Sequence, residues 1–216
     1  MDPVKGMQVD LRNNYGKDAL GEKEAGDDPI ALFGRWLQQA KAQNVPEYNA
    51  MALATSGTDH LSCRMVLLRS FDAEGFVFFS NYNSRKASDL ESDTRAALTF
   101  FWPQLERQVR IEGRGERVEA AMSDAYWEQR PRESRLSAWA SDQSMPVASR
   151  ERLMERYARW EERFKDADVP RPFHWGGTRV RPLRIEFWQG GADRMHDRIV
   201  FERRTHEGWD RSRLQP

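Results

Sequence analysis

The stretch Gln108-Val109-Arg110-Ile111-Glu112-Gly113-Arg114-Gly115 alternates polar and apolar side chains over five residues and then meets two glycines. A period of two places Val109 and Ile111 on one face of an extended chain and Gln108, Arg110 and Glu112 on the other. This is the pattern of a β-strand with one buried face, running to about Val118. Gly113 and Gly115 predict a bulge or bend of the kind a closing barrel requires. Upstream, Ala50 to Thr55, Ser62 to Arg69, Phe76 to Ser80 and Ala96 to Trp102 are further short runs rich in β-formers. Strand texture returns at Arg184 to Trp188 and Arg198 to Arg203, with Gly190-Gly191 as turn material between them.

Helical periodicity surrounds these strands. Asp28-Pro29 is an N-cap followed by proline at the first helical position, and Ile30, Phe33, Leu37 and Ala40 form a stripe, so a helix is expected over 29–43. Ser84 caps a short helix whose first turn carries Arg85 and Lys86. Residues 119–130 read as helical up to Pro131, and Leu153, Tyr157, Trp160 and Phe164 mark a helix over 147–166 that packs by one face. The fold class expected is α+β, a split antiparallel β-barrel with helices around it. Residues 1–27 show no period and read as a mobile N-terminal arm that orders on binding, leaving 28–216 as a single domain.

Composition narrows the function. Lys+Arg and Asp+Glu both total 34, so no overall charge draws the chain to nucleic acid or an anionic membrane, and any anion site must be local. No apolar run forms a secretory signal or a membrane span, and a cytoplasmic location is expected. The single cysteine, Cys63, excludes an internal disulfide framework and is expected buried in its strand. No metal-ligand spacing links His60, His174, His196 and His206, and the Rossmann, P-loop, zincin and serine-hydrolase motifs are absent.

Four constellations remain. In Arg64-Met65-Val66-Leu67-Leu68-Arg69 an apolar strand is bracketed by two arginines, and their odd spacing puts them on opposite faces, either onto two anions or into water at the strand ends. Phe79-Ser80-Asn81 leads into Ser84-Arg85-Lys86, a helix start where amides and cations suit a phosphate, or a solvated helix start with no ligand. Tyr126, Arg130 and Ser134, spaced four and four across Pro131, converge on a second anion or stay exposed on a helix. If the chain is extended at Arg194, His196 and Arg198, these share a face, and three such groups repel without an anionic or electron-rich ligand; the other reading is a surface strand.

In this order, these pieces resemble the pyridoxine/pyridoxamine 5'-phosphate oxidase family from Leu11-Arg12-Asn13-Asn14-Tyr15 to Arg213-Leu214-Gln215-Pro216. The most specific runs are Arg64 to Arg69, Asn81 to Ala87, Leu105 to Val109, Arg130 to Ser134, Glu186 to Gly191 and Arg194 to Arg198. The resemblance implies a homodimer binding two FMN at the subunit interface, with oxygen as acceptor and pyridoxal 5'-phosphate as product. It implies that Arg64, Arg85, Lys86, Gln143 and Ser144 hold FMN, the charged groups chiefly at its phosphate. Met65, Val66, Leu67, Leu68, Phe79, Ser80, Gln108, Trp188 and Arg198 complete the implied flavin set. Arg69, Tyr126, Arg130 and Ser134 are implied at the substrate phosphate, Arg194 and His196 at the pyridine ring as the catalytic pair, and Arg12 and Tyr15 close over the substrate. Three positions depart from the family pattern. Arg69 stands where Lys is frequent, Phe79-Ser80 where Tyr-Thr is, and Gln215 where Ala is commoner. A phenazine-pathway flavin oxidase of the same fold and a non-catalytic flavin- or pyridoxal-phosphate-binding protein are the alternatives.

Overall fold

The computed structural model describes residues 14–216. Its centre is one antiparallel sheet of nine strands: β1 (Ala50–Ser56), β2 (Leu61–Leu67), β3 (Ser70–Asp72), β4 (Gly75–Asn81), β5 (Arg95–Trp102), β6 (Arg107–Arg117), β7 (Trp175–Gln189), β8 (Asp197–Arg203) and β9 (Trp209–Arg213). The strand order is β2-β1-β5-β6-β7-β4-β3, with β8 and β9 continuing from β7. Strand β7 makes the sheet curl. Its first residues pair with β4, its last with β8, and β6 runs along its other edge. The register between β6 and β7 shifts at Glu112/Gly113, where Pro182 lies opposite Gly113. A side chain at Gly113 would drive its Cβ to 2.1 Å from the Arg181 carbonyl oxygen. The barrel stays split between β2 and β4, which do not pair in the sheet; just beyond the end of β2 the Arg69 N–H donates to the Val77 carbonyl at 2.9 Å.

Six helices surround the sheet among the described residues: α1 (Glu22–Ala25), α2 (Pro29–Ala42), α3 (Arg85–Ser92), α4 (Ala120–Glu128), α5 (Arg132–Ala140) and α6 (Arg150–Arg163). Helix α2 starts where its cap predicts, the Asp28 carboxylate accepting from the Ile30 and Ala31 amides. Its buried stripe is Leu32, Phe33, Trp36 and Ala40, while Ile30 and Leu37 pack at the edge. Phe33 meets Phe71 and Phe76 edge-on at 5.0 and 4.9 Å, filling the barrel mouth. Truncating so buried an aromatic costs about 3–5 kcal/mol, so Phe33→Ala would threaten the whole fold. A second core, built on Trp127, Leu136, Val169 and Trp175, takes three of the four residues of the predicted stripe, Tyr157, Trp160 and Phe164, but not Leu153.

Three expectations need correcting. Cys63 is exposed, because β2 is a sheet edge whose faces this chain leaves largely uncovered. Ser84 occupies the N-cap position of α3 but caps nothing, since its hydroxyl donates to the Asn81 carbonyl at 2.6 Å. Residues 14–27, read as part of a mobile arm, lie docked on the barrel with Leu20 and Ala25 in the main core.

Candidate active site

A cavity of about 380 Å³ opens where the end of β2, the end of β4, α3, α4 and the start of β7 converge. Met65, Val66 and Leu67 form one wall, Phe79, Ser80 and Asn81 another, and Ser137, Ala138, Ser141 and Gln143 a third. Arg69, Lys86 and Arg130 reach into it, and no aspartate or glutamate among the described residues lines it. The Phe79 ring stacks on Tyr126 at 4.0 Å and on Trp175 at 5.6 Å, which stiffens the floor.

The cations are held at a cost that an anion would relieve. Lys86 is only 8% exposed and its ammonium donates to two neutral acceptors, Ser84 Oγ at 2.9 Å and Gln143 Oε1 at 3.2 Å. Burial first, and then the nearby charge of Arg64, push its pKa down to about 8. Arg130 donates to the Ser134 carbonyl at 2.8 Å and lies over the Trp175 ring at 4.6 Å, yet its buried Nε has no partner among the described residues. Burial holds the Arg130 pKa below its ordinary value, the Tyr126 phenol opposing this and Arg69 and Arg135 adding to it. Ser80 Oγ is likewise buried without a partner. Unsatisfied buried donors are rare and costly, and here two of them belong to the lining of one cationic cavity.

Beside this cavity, Arg64 donates to Thr55 Oγ1 at 2.7 Å and approaches the buried Asp89 carboxylate at 3.5 Å. Arg85 is held through its backbone N–H by Ser144 Oγ at 3.2 Å, and through its Nε by His60 at 3.4 Å. A second cluster lies at the far end of β7. Trp188 pairs across the sheet with Gln108 on β6 and Arg198 on β8, and its ring packs with Tyr15 at 5.5 Å and His196 at 4.7 Å. Arg198 is clamped by the buried Glu186 at 2.7 Å. His196 Nδ1 accepts the Gly191 N–H at 3.1 Å, so in the neutral ring the proton is on Nε2, which is presented as a donor.

Residues 37–164 match the family model described as pyridoxamine 5'-phosphate oxidase, and residues 175–216 match the one described as the pyridoxine 5'-phosphate oxidase C-terminal dimerisation region. The chain belongs to the pyridoxamine 5'-phosphate oxidase family. It is 52% identical to the pyridoxine/pyridoxamine 5'-phosphate oxidase of Rubrobacter xylanophilus over 95% of both chains. It is 50% identical to that of Trichormus variabilis over 96% of this chain and 98% of the relative. Among solved structures, PhzG from Burkholderia lata 383, in complex with tetrahydrophenazine-1-carboxylic acid, aligns with a TM-score of 0.85 at 31% identity, covering 92% of this chain and 98% of its own. A pyridoxamine 5'-phosphate oxidase-related, FMN-binding protein from Nostoc punctiforme shares the fold at TM-score 0.71 and 13% identity, over 88% of this chain and 100% of its own.

The residues expected to serve this family's chemistry fall into two groups. Met65, Val66, Leu67, Arg69, Phe79, Ser80, Lys86, Tyr126, Arg130 and Gln143 all line the cavity. Arg64, Arg85 and Ser144 stand next to it through Lys86 and α3, and the Leu68 side chain turns into the core. Ser134 contributes its carbonyl to Arg130 and its side chain is not in the lining. Gln108, Trp188, Arg198, His196 and Tyr15 gather instead at the other end of β7. Trp175 lines the cavity, and Trp188 lies thirteen residue steps further along the same strand, roughly 40 Å of extended chain. The alternation expected for Arg194, His196 and Arg198 does not occur. A short 3-10 turn spans Ala192–Arg194, with Asp193 and Arg194 at positive φ, and strand β8 begins only at Asp197. Arg12 lies outside the described residues. Sequence reasoning missed Trp175, Ser137, Ala138 and Ser141 as lining residues; none carries a motif signal, because each enters the cavity only through tertiary packing.

Proposed function

We propose that this chain is an FMN-dependent oxidase that converts pyridoxine 5'-phosphate or pyridoxamine 5'-phosphate to pyridoxal 5'-phosphate, with oxygen as the electron acceptor. One observation carries the reading: among the described residues the cavity gathers Arg69, Lys86 and Arg130 without a carboxylate and leaves Ser80 Oγ and Arg130 Nε unpartnered. Such a site fits phosphate-bearing ligands, and the Met65-Val66-Leu67 wall offers an apolar surface for a flat ring system. Lys86, with Arg64, Arg85, Gln143 and Ser144 around it, would hold the FMN phosphate. Arg69, Arg130 and Tyr126 would hold the substrate phosphate, with Ser134 orienting Arg130 through its carbonyl.

When bound, FMN supplies the hydride acceptor that side chains lack. The chain's own residues position the reactants, two phosphate anchors making the encounter effectively intramolecular. Arg194 and His196 would face the pyridine ring, His196 as an Nε2–H donor while Gly191 occupies Nδ1. Oxidation takes two electrons from the C4' carbon, giving an aldehyde from the alcohol or an imine that water hydrolyses from the amine, and oxygen leaves as hydrogen peroxide.

The complete site in this reading is shared by two copies of the chain, Trp188, Gln108, Arg198, Arg194 and His196 of one facing the cavity of the other. Three observations support it: the separation along β7, the match of 175–216 to a dimerisation region, and the exposed Leu61, Cys63 and Met65 on edge strand β2. A single domain over 28–216 and a cytoplasmic setting accord with it; among the described residues no helix is long and apolar enough to cross a membrane. The likeness to PhzG favours a second reading, oxidation of a reduced phenazine carboxylic acid. Peroxide release from protein loaded with FMN separates these. Turnover of pyridoxamine 5'-phosphate supports the first reading, turnover of the phenazine acid alone supports the second, and no turnover of either leaves a binding protein.

A further inference from the structure

The run Leu105-Glu106-Arg107-Gln108-Val109 includes two charged residues to which the proposed chemistry gives no task, and both are almost fully buried, Glu106 at 8% exposure and Arg107 at 6%. Both spend their charge on the arm. Glu106 carboxylate oxygen Oε2 accepts from the backbone N–H groups of Gly16 at 2.8 Å and Lys17 at 3.0 Å. Arg107 donates to the Asp18 carboxylate at 2.6 Å, while its remaining donors go to Gln189 at 2.7 Å and to Gln39, and its plane lies over Trp36 at 4.5 Å. Three successive residues of an otherwise irregular segment are thereby tied to the start of β6.

The same residue fixes the surface that the arm covers. Glu106 adopts the left-handed conformation, φ 54° and ψ 41°, which is strained for a residue with a side chain. That turn aims its carbonyl at the end of β7, where it accepts the Gly190 N–H at 2.8 Å and the Gln189 side-chain amide at 3.3 Å. Gly190 has no side chain to stand in the way. A Cβ there would lie 2.8 Å from Tyr15, and through that gap Tyr15 packs edge-on against Trp188 at 5.5 Å and His196 at 5.7 Å.

We infer that Glu106 and Arg107 are positioning residues for substrate binding: a buried clamp that grips the backbone at 16–18 and so sets Tyr15 over the Trp188–His196 wall. This rests on the function proposed above, in which His196 of that wall faces the substrate ring. The clamp touches neither substrate nor cofactor, so its loss should weaken substrate binding while leaving the chemical step and FMN retention intact.

The test uses the full-length FMN-loaded protein and the variants Glu106→Ala, Glu106→Gln and Asp18→Ala. The last changes an exposed arm residue and substitutes no residue of the barrel. Hydrogen exchange over residues 14–20 is read beside steady-state kinetics with pyridoxine 5'-phosphate. Glu106→Ala and Asp18→Ala should each speed exchange in the arm while β6 and β7 keep their wild-type rates, and should raise KM about tenfold with kcat within about twofold. Glu106→Gln, which keeps an acceptor oxygen, should recover most of the protection. Unchanged arm exchange overturns the clamp, and a freed arm with unchanged KM overturns its positioning role. Loss of FMN with faster exchange throughout the barrel would mark Glu106 as a structural residue instead. Should the wild-type protein not oxidise pyridoxine 5'-phosphate at all, the functional reading falls, and arm exchange still decides whether the clamp exists.

Discussion

Lys86→Met separates the cost of the anion site from its use. In the folded chain Lys86 has only neutral acceptors, Ser84 Oγ and Gln143 Oε1, and its pKa falls from 10.5 to about 8 through burial and then the charge of Arg64. At 1.36 kcal/mol per pKa unit that fall corresponds to about 3 kcal/mol of disfavoured charge at neutral pH. Methionine removes this cost and also two hydrogen bonds worth about 1 kcal/mol each. Neither former acceptor is left idle, because Ser84 Oγ still donates to the Asn81 carbonyl and Gln143 Oε1 still accepts the Asn81 N–H. The cofactor-free variant should therefore be more stable than wild type by about 1 kcal/mol, or roughly 2–4 °C in Tm.

The pH dependence has a definite sign. Between pH 8 and 10.5 the unfolded chain keeps a proton that folded Lys86 has released, so the stability of the cofactor-free wild type rises through that window. Cofactor binding runs the other way. A phosphate beside Lys86 raises its pKa above the free-site value, so affinity is complete below pH 8 and falls by up to about tenfold per pH unit above it. Titrating the cofactor-free protein with FMN at pH 7 and 9.5, followed by quenching of flavin fluorescence and with riboflavin as the phosphate-free control, reads this directly. Wild type should lose FMN affinity over that interval, while Lys86→Met should bind more weakly and with a shallower slope. Equal slopes, or a variant that holds FMN as tightly as wild type at pH 7, would refute the reasoning.

Arg130→Ala should raise KM for pyridoxine 5'-phosphate by about one to two decades while FMN stays bound, from loss of a charge-assisted bond of about 1.5–3 kcal/mol; flavin release with unchanged KM would mean that the two anion sites are assigned the wrong way round. Ser80→Ala removes a buried hydroxyl that has no partner, so the cofactor-free protein should melt no lower than wild type, and FMN affinity should drop in equilibrium titration. Purified protein should be yellow, release FMN and not FAD on denaturation, and sediment at twice the mass of its chain. A monomer that carries flavin would contradict the shared site.

Much of the architecture was legible in the sequence because it rests on local periodicity. The alternation of Val109 and Ile111 marks β6, Gly113 marks the register shift, Asp28-Pro29 starts α2, and the Tyr157-Trp160-Phe164 stripe marks the packed face of α6. Where periodicity was short or interrupted, the reading failed. Strand β3 has three residues, β9 is polar and mostly exposed, and α5 follows Pro131 with only Leu136 and Ala140 buried. Strand β7 runs fifteen residues through Gly176, Gly177 and Pro182, residues that usually break strands; Pro182 is tolerated because it lies opposite the irregularity at Gly113.

The candidate site divides along the same line. Residue types by themselves left Arg69, Lys86 and Arg130 open between anion ligands and solvated charges, and only the family resemblance pointed them at phosphates. Which of them share a cavity, which are stripped of water, and which are left without an acid partner was decided only by tertiary structure. Desolvation depends on neighbours brought in from distant parts of the chain, as when Gln143 meets Lys86 across 57 positions. The alternation expected at Arg194, His196 and Arg198 gave way for a related reason. The Gly191 N–H binds the His196 ring and Asp193 and Arg194 turn to positive φ, so a local turn replaces the strand that spacing alone would draw.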